Sequence, residues 1–183
     1  MIIALEGSDG VGKSSAAELL RTRLNLTVFA DQVRHGLLGD LDAEGMFIAG
    51  NQCNLDLTAL SRVLHLVADR WALSSVVYDC GLRGISRDRY LKLMEIYARA
   101  SAWVFLLDCP PAVARERVSR RDGAPRRSLE EMERIRDGFF TVAEWWRELG
   151  GNLTLIPTAD REATNRVLLT NVELALLHAG RAG

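Results

Sequence analysis

The chain has 183 residues, of which 48% are hydrophobic and 26% are charged, as expected for one soluble, compact domain. Its 23 Lys and Arg residues nearly balance its 24 Asp and Glu residues, so no overall positive field attracts nucleic acid or an acidic membrane. The three cysteines lack metal-ligand spacing, and neither a membrane-length apolar run nor a basic leader is present. We therefore expect free thiols, no membrane partner and a cytoplasmic location.

Short apolar runs alternate with longer segments of helical period, which is typical of βαβ units around a parallel sheet. The predicted strands are Ile2–Glu6, Leu26–Ala30, Val63–Ala68, Ala102–Asp108 and Asn152–Ile156. The predicted helices cover 12–24, 45–60, 86–100, 110–121, 127–149 and 160–179. Ser86 is a candidate helix cap, and Ser128 with Glu131 matches a capping box. We expect ligands beyond the carboxyl ends of the strands.

A glycine-rich segment directly follows the first predicted strand. From 7 to 15 it reads Gly7, Ser8, Asp9, Gly10, Val11, Gly12, Lys13, Ser14 and Ser15, and it fits the motif G-x-x-x-x-G-K-[ST]. Its glycines let successive backbone N–H groups point inward and form an anion cradle at a helix N-terminus. Lys13 can then reach the β- and γ-phosphates of a nucleotide, while Ser14 offers its hydroxyl to Mg²⁺. This P-loop predicts nucleotide binding without separating a kinase from a hydrolytic switch or motor.

An acidic and a basic residue follow the third predicted strand. Asp69 can hold Mg²⁺ or its waters, and Arg70 offers a planar fork suited to a second phosphate. A surface ion pair is the structural alternative, but the P-loop in the same chain favours function. The pair predicts an acceptor site.

An arginine-rich segment at about 119–128 is predicted to form a lid. Its candidate residues are Arg120, Arg121, Arg126 and Arg127. A cationic loop that closes over the phosphates would exclude water and stabilise charge on the transferring group. The alternative is a solvated basic loop, and we expect that description to fit some of these arginines.

Three further features have structural interpretations. Asp108 ends the fourth predicted strand like a Walker-B carboxylate, but a helix cap is at least as good an interpretation. Trp145 and Trp146 are predicted to pack against the core or a partner subunit. His65 is predicted to be buried in the third strand.

The order and spacing of these motifs resemble the thymidylate kinase family of deoxynucleoside monophosphate kinases. The matching segments are "IALEGSDGVGKSS", "DRWALSSVVYD" and "WVFLLDCPPAVARERVSRR". The resemblance implies one P-loop domain over 1–183, with a three-layer α/β fold and a five-stranded parallel sheet ordered 2-3-1-4-5. It also implies ATP as the phosphoryl donor, Mg²⁺, small nucleotide substrates and a homodimer.

Residue roles follow from the same resemblance. Ser14 and Asp69 would organise Mg²⁺, Arg70 would bind the acceptor phosphate, and Asp9 would lie near the acceptor sugar. Ser74 belongs to the matching Asp-Arg-Trp stretch, and Ser75 and Tyr78 would border the acceptor base and sugar. Because Gly10 stands where some relatives have a basic residue, the charge-stabilising arginine would come from the lid.

The predicted base site departs from the family pattern. Phe47 is the available aromatic for stacking, but Asn51 and Gln52 stand where the family usually has an Asp-Arg pair. An amide can still pair with a pyrimidine edge, which leaves a different or modified base open. Arg34, in a short segment without the usual Glu-Pro signature, is a candidate phosphate contact.

These features predict transfer of the γ-phosphoryl group of ATP to dTMP or a related, modified or unmodified, pyrimidine deoxynucleoside monophosphate. One alternative is a kinase of a nucleoside or small alcohol, with Asp9 or Asp69 as base. Another is a kinase of a DNA base or terminus, against which the neutral net charge argues. A nucleotide-dependent switch or assembly ATPase is disfavoured by the arginine lid and by Asp69 and Arg70.

Overall fold

The computed structural model describes residues 1–30, 41–124 and 127–181. Its five strands are β1 Ile2–Glu6, β2 Thr27–Phe29, β3 Leu66–Asp69, β4 Ala102–Asp108 and β5 Asn152–Pro157. They form one sheet in the order β2-β3-β1-β4-β5, and every neighbouring pair is parallel. The predicted α/β class and strand order are therefore confirmed.

Helices cover both faces of this sheet. They are α1 Lys13–Leu24, α2 Ala43–Leu60, α3 Ala72–Leu82, α4 Leu91–Ala98, α5 Pro111–Asp122, α6 Leu129–Glu148 and α7 Arg161–Arg181. A short 3₁₀ helix, Arg87–Tyr90, precedes α4, and the Ser86 side chain caps it. The predicted segment 86–100 is thus divided between two helices.

Alternating residues of the central strand β1 supply two separate cores. Ile2 and Ala4 face a core shared with α2, α3, α4 and α6, whereas Ile3 and Leu5 face one shared with α1, α5 and α7. Burial on both faces explains why this strand reads as a continuous apolar run. Trp146 is fully buried in the first core, as the sequence predicts.

Two predictions of local structure were wrong. The segment 72–82 forms helix α3, for which the sequence pattern predicted no element. His65 lies exposed before β3, not buried within it, because β3 begins at Leu66 opposite Ile2. The Nδ1 atom of His65 instead lies 3.3 Å from the N-terminal nitrogen of Met1.

Strand pairing places the two predicted phosphate-binding segments side by side. Leu5 lies opposite Asp69 in the β1–β3 register, and the Arg70 N–H donates to the Leu5 carbonyl at 3.1 Å. The P-loop leaves the end of β1, and the Asp69–Arg70 pair leaves the end of β3. Their proximity therefore follows from the sheet and does not depend on a flexible loop.

The capping box predicted at the start of α6 is present. The Ser128 hydroxyl accepts from the Glu131 N–H at 3.1 Å, and the Glu131 carboxylate accepts from the Ser128 N–H at 2.8 Å. Two backbone donors are thereby satisfied at the N-terminus of α6.

We expect Ser128→Ala to lower the free energy of unfolding by about 1 kcal/mol, because one helix-end N–H loses its acceptor. The melting temperature should fall by about 2–4 °C, measured by circular dichroism. Ser128→Asp, which retains a capping oxygen, serves as the control. Equal melting temperatures for Ser128→Ala and the parent protein would contradict this role.

Candidate active site

Two positions of the P-loop have backbone conformations that favour glycine. Gly7 and Gly10 have φ values of 131° and 84°. A Cβ on Gly7 would lie 2.3 Å from the Leu107 carbonyl oxygen, and one on Gly10 would lie 2.2 Å from that of Ala114. Both glycines are therefore required by conformation and by close approach of neighbouring backbone.

Lys13 lies buried inside this loop. Its ammonium group donates to the carbonyl oxygens of Gly7 at 2.8 Å and Ser8 at 2.7 Å. Burial, aided by the nearby Arg70 guanidinium, lowers the pKa of Lys13 to about 7. An anion in the loop would favour the charged form and oppose this shift.

Ser14, in the first turn of α1, contacts Asp69 at the end of β3. The Ser14 hydroxyl donates to Asp69 Oδ2 at 2.8 Å. Within the described ranges, no group of three or more His, Cys, Asp or Glu side chains is arranged to hold a metal ion. The hydroxyl–carboxylate pair nevertheless suits Mg²⁺, which takes oxygen ligands and commonly obtains the others from water and substrate phosphates.

Arg70 turns back toward the P-loop. Its φ of 74° places a non-glycine residue in the left-handed region. Its Nη2 donates to Asp9 Oδ1 at 2.5 Å, and its Nη1 lies 3.3 Å from both the Gly7 carbonyl oxygen and the Ser74 hydroxyl. The guanidinium thus lies against the P-loop and the start of α3.

Asp9 is the anion at the centre of several cations. Burial by itself raises the pKa of this carboxyl, but Arg70, Lys13, Arg127 and Arg121 together hold the pKa below its usual value. The Arg127 Nε lies 3.9 Å from Asp9 Oδ2. Asp9 therefore stays ionised and links the P-loop to the start of α6.

The arginines of the predicted lid have different surroundings. Arg127 is near Asp9, and its guanidinium lies 5.8 Å from the centre of the Tyr78 ring. Arg121 pairs with Asp122 through bonds of 2.6 and 2.9 Å, and Arg120 pairs with Glu116 on the exposed face of α5. Arg126 lies outside the described residues, as does Arg34.

Tyr78 on α3 lies beside Arg70 and Arg127. The Arg70 guanidinium lies 4.8 Å from its ring centre, and Phe139 packs against it edge-on. Its hydroxyl oxygen is buried and makes no hydrogen bond within the described ranges. Burial raises the pKa of Tyr78, so the hydroxyl keeps its proton at neutral pH.

Two other residues predicted to contact the acceptor nucleotide, Phe47 and Asn51, are buried and packed against neighbouring helices. Phe47 is buried in α2 against Tyr90, and the Arg89 guanidinium lies 4.0 Å from its ring centre. The Asn51 amide donates to the Phe47 carbonyl and the Tyr90 hydroxyl, and its oxygen accepts from the Tyr97 hydroxyl.

Two further acceptor candidates have partners elsewhere. Gln52 donates to Asp56 at 2.9 Å on an exposed face of α2. The Ser75 hydroxyl accepts from Asn54 on α2 at 2.9 Å, so it joins α3 to α2. Contacts of Asn51, Gln52 and Ser75 with an acceptor base stay predictions from the sequence.

Asp108 has a structural partner. Both of its carboxylate oxygens accept from Arg136 on α6, at 2.7 and 2.8 Å. It does not cap α5, whose N-cap position is Pro110 and has no side-chain cap. Asp108 therefore joins the end of β4 to α6.

Sequence reasoning missed Glu6. This carboxylate at the end of β1 is fully buried and accepts hydrogen bonds from the segment that opens α3. Burial raises its pKa, although the hydrogen bonds from Ser74 and Trp71 and the charge of Arg70 oppose that rise. The available signal was a lone acid inside a run of buried strand residues, immediately before the P-loop.

Comparison with known proteins identifies the family of the chain. The thymidylate kinase family profile matches residues 52–160. Thymidylate kinase of Thiobacillus denitrificans is 34% identical over 166 residues, covering 77% of this chain and 81% of that protein. Thymidylate kinase of Xylella fastidiosa is 27% identical over 206 residues, covering 100% of this chain and 96% of that protein.

The fold also matches solved structures. Deoxyadenosine kinase from M. mycoides, solved with dCMP and dCDP bound, superposes with a TM-score of 0.68 at 16% identity, covering 94% of this chain and 99% of that one. This likeness concerns the fold alone, whereas the family profile and the Thiobacillus relative define the family. The chain belongs to the thymidylate kinase family and is a nucleoside monophosphate kinase.

Proposed function

We propose that this kinase transfers the γ-phosphoryl group of ATP to dTMP or to a related pyrimidine deoxynucleoside monophosphate. The observation that carries the proposal is the position of Arg70, whose guanidinium lies against the P-loop with Asp9 at 2.5 Å. One chain thereby offers cationic sites for two phosphorylated ligands in adjoining positions. The names of the relatives support thymidylate as the acceptor.

The P-loop would bind the donor. Its backbone N–H groups and the N-terminus of α1 would hold the β- and γ-phosphates, with Lys13 moving from the Gly7 and Ser8 carbonyls onto the phosphate oxygens. Ser14 and Asp69 would hold Mg²⁺, which neutralises charge on the triphosphate when bound. Ser15 extends the first turn of α1 beside them.

Arg70 would bind the acceptor phosphate. Its planar guanidinium suits two phosphate oxygens at once, and Asp9 and Ser74 hold it beside the P-loop. The attacking phosphate oxygen is already anionic near neutral pH, so in-line transfer needs no protein base. Positioning and electrostatic stabilisation would then supply most of the rate acceleration.

Tyr78 would contact the acceptor nucleoside. Its buried hydroxyl makes no hydrogen bond within the described part of the chain, and a ligand beside Arg70 could satisfy it. Asp9 would lie near the acceptor sugar. The base contacts proposed from the sequence are Phe47, Asn51 and Gln52.

The described part of the chain contains no helix that is long and apolar enough to cross a membrane. A homodimer and a cytoplasmic location stay predictions.

A panel of acceptors tests the proposed reaction. The purified protein is incubated with ATP and Mg²⁺ together with individual deoxynucleoside and nucleoside monophosphates, free nucleosides or DNA ends, and products are separated by chromatography. We expect diphosphate from dTMP or another pyrimidine deoxynucleoside monophosphate, and little product from nucleosides or DNA. Slow ATP hydrolysis that no acceptor accelerates would instead indicate a nucleotide-dependent switch.

Two variants check the site within that panel. Lys13→Ala should abolish transfer to every acceptor, because the donor phosphates lose their buried cation. Arg70→Ala should raise KM for the acceptor by about a hundredfold or more while KM for ATP changes little. An unchanged acceptor KM in Arg70→Ala would remove the basis of the proposed acceptor site.

Nucleotide binding should take up protons above neutral pH. Lys13 has a lowered pKa of about 7 in the nucleotide-free protein, so at pH 8 most molecules carry it neutral, and bound phosphates favour the charged form. Calorimetric titration with Mg²⁺-ADP in buffers of different ionisation enthalpy should show uptake of up to about one proton at pH 8 and less at pH 6. Lys13→Arg, whose guanidinium is always charged, is the matched control and should show none. Equal uptake in both proteins would contradict Lys13 as the source.

The lid arginines should differ in importance. Arg127 lies 3.9 Å from Asp9, whereas Arg120 pairs with Glu116 on the surface. We expect Arg127→Ala to lower kcat by about a hundredfold, because charge on the transferring group loses a cation. Arg120→Ala should cost much less in the same steady-state assay. A larger loss for Arg120→Ala would reverse this assignment.

A further inference from the structure

Glu6 occupies an unusual position between the two halves of the site. Its side chain is fully buried at the end of β1, next in sequence to Gly7. Its Oε1 accepts from the N–H groups of Trp71 and Leu73, both at 3.0 Å, and its Oε2 accepts from the Ser74 N–H at 3.1 Å. The Ser74 hydroxyl is a further close partner of Oε2.

These contacts cap helix α3 from a distant part of the chain. The N-cap residue Trp71 makes no side-chain capping bond, and the first N–H groups of a helix have no partner within it. The Glu6 carboxylate supplies those acceptors, and its negative charge is favourable at a helix N-terminus. It therefore sets where α3 begins relative to the P-loop.

Glu6 also determines how the Ser74 hydroxyl is oriented. A serine hydroxyl has one proton to donate and two lone pairs that accept. Three backbone N–H groups, which can only donate, point at the Glu6 carboxyl and favour its ionised form. An ionised carboxylate only accepts, so the Ser74 proton is directed to Glu6. The lone pairs are then left to accept from Arg70 Nη1, which lies 3.3 Å away. A chain of hydrogen bonds consequently runs from Arg70 through Ser74 to Glu6.

We propose that Glu6 is a positioning residue that orients the Arg70 guanidinium for the acceptor phosphate, acting through Ser74 and the start of α3. This inference rests on the proposed function, in which Arg70 binds that phosphate. Glu6 itself is fully buried, so we expect it to act through its hydrogen-bond partners and not by touching the substrates. Its effect is on the acceptor half of the reaction, because its hydrogen-bond partners lie in the segment 71–74 that follows Arg70.

Glu6→Gln isolates this role with little change of shape. Glutamine has one acceptor oxygen and an NH₂ group, so one side of the amide would face backbone donors that need an acceptor. The Ser74 hydroxyl would then lose its fixed direction, and Arg70 would lose a partner. A cap that served only stability would lower the melting temperature without a selective effect on one substrate.

The experiment compares Glu6→Gln, Arg70→Ala and the double variant in steady-state assays with ATP and dTMP. We expect Glu6→Gln to raise KM for dTMP by about tenfold, while KM for ATP changes less than about twofold. In the Arg70→Ala background, the same substitution should raise KM for dTMP no further, because its effect passes through Arg70. Multiplied effects in the double variant, or equal increases for both substrates, would overturn the proposal.

Serine variants test the same relay if Glu6→Gln fails to fold. Ser74→Ala should raise KM for dTMP in the parent background but not in Arg70→Ala, and Ser74→Thr, which keeps a hydroxyl, should restore the parent value. No change in Ser74→Ala would overturn the relay. Asp108→Asn is a matched control, since it removes another carboxylate at the end of a neighbouring strand, and it should lower stability without a selective change in KM for dTMP.

The outcome also separates this inference from the proposed function. If Arg70→Ala leaves KM for dTMP unchanged, the acceptor assignment itself fails and the inference fails with it. If Arg70→Ala raises that KM but folded Glu6→Gln does not, only the positioning role of Glu6 is overturned.

Discussion

The contact between the Arg70 guanidinium and the Asp9 carboxylate joins the two halves of the proposed reaction site. Arg70 reaches it in a left-handed backbone conformation, which costs a non-glycine residue on the order of 1 kcal/mol. The structure holds that conformation through the Arg70 N–H bond to Leu5 and through the side-chain bonds to Asp9 and Ser74. Local backbone strain is thus retained where it directs a cation toward the nucleotide loop.

The electrostatics of the site differ from those of the whole molecule. The net charge is −1, yet Lys13, Arg70 and Arg127 converge on one carboxylate, Asp9. Partial burial strengthens these interactions relative to water, and burial of the Lys13 ammonium lowers its pKa because a buried charge is costly. Phosphorylated substrates would bring further negative charge to these cations, so the proposed binding does not need a positive net charge on the whole protein.

The sequence predicted those structural features whose residues are close together in the chain. It did not predict features that depend on residues far apart in the chain. The P-loop motif was recognised because its glycines, Lys13 and Ser14 all lie between positions 7 and 14, and the capping box at Ser128 spans only one helical turn. Helix α3 was missed because its apolar, valine-containing sequence carries no cap of its own and its acceptors come from Glu6 in β1. The hydrogen-bond partners of Asn51, namely Tyr90 and Tyr97, could not be predicted from the sequence because they depend on how the helices pack together.

Donor and acceptor phosphates are proposed to meet between the P-loop and Arg70. The most direct measurement is calorimetric binding of a single ligand that joins adenosine to thymidine through a chain of phosphates long enough to span both sites. We predict that one ligand binds per chain, with an affinity at least about a hundredfold above that of ATP or dTMP alone. The reason is that binding at the second phosphate site becomes intramolecular and costs no second loss of translational and rotational entropy. An affinity no higher than that of ATP, or one that Arg70→Ala leaves unchanged, would contradict the claim.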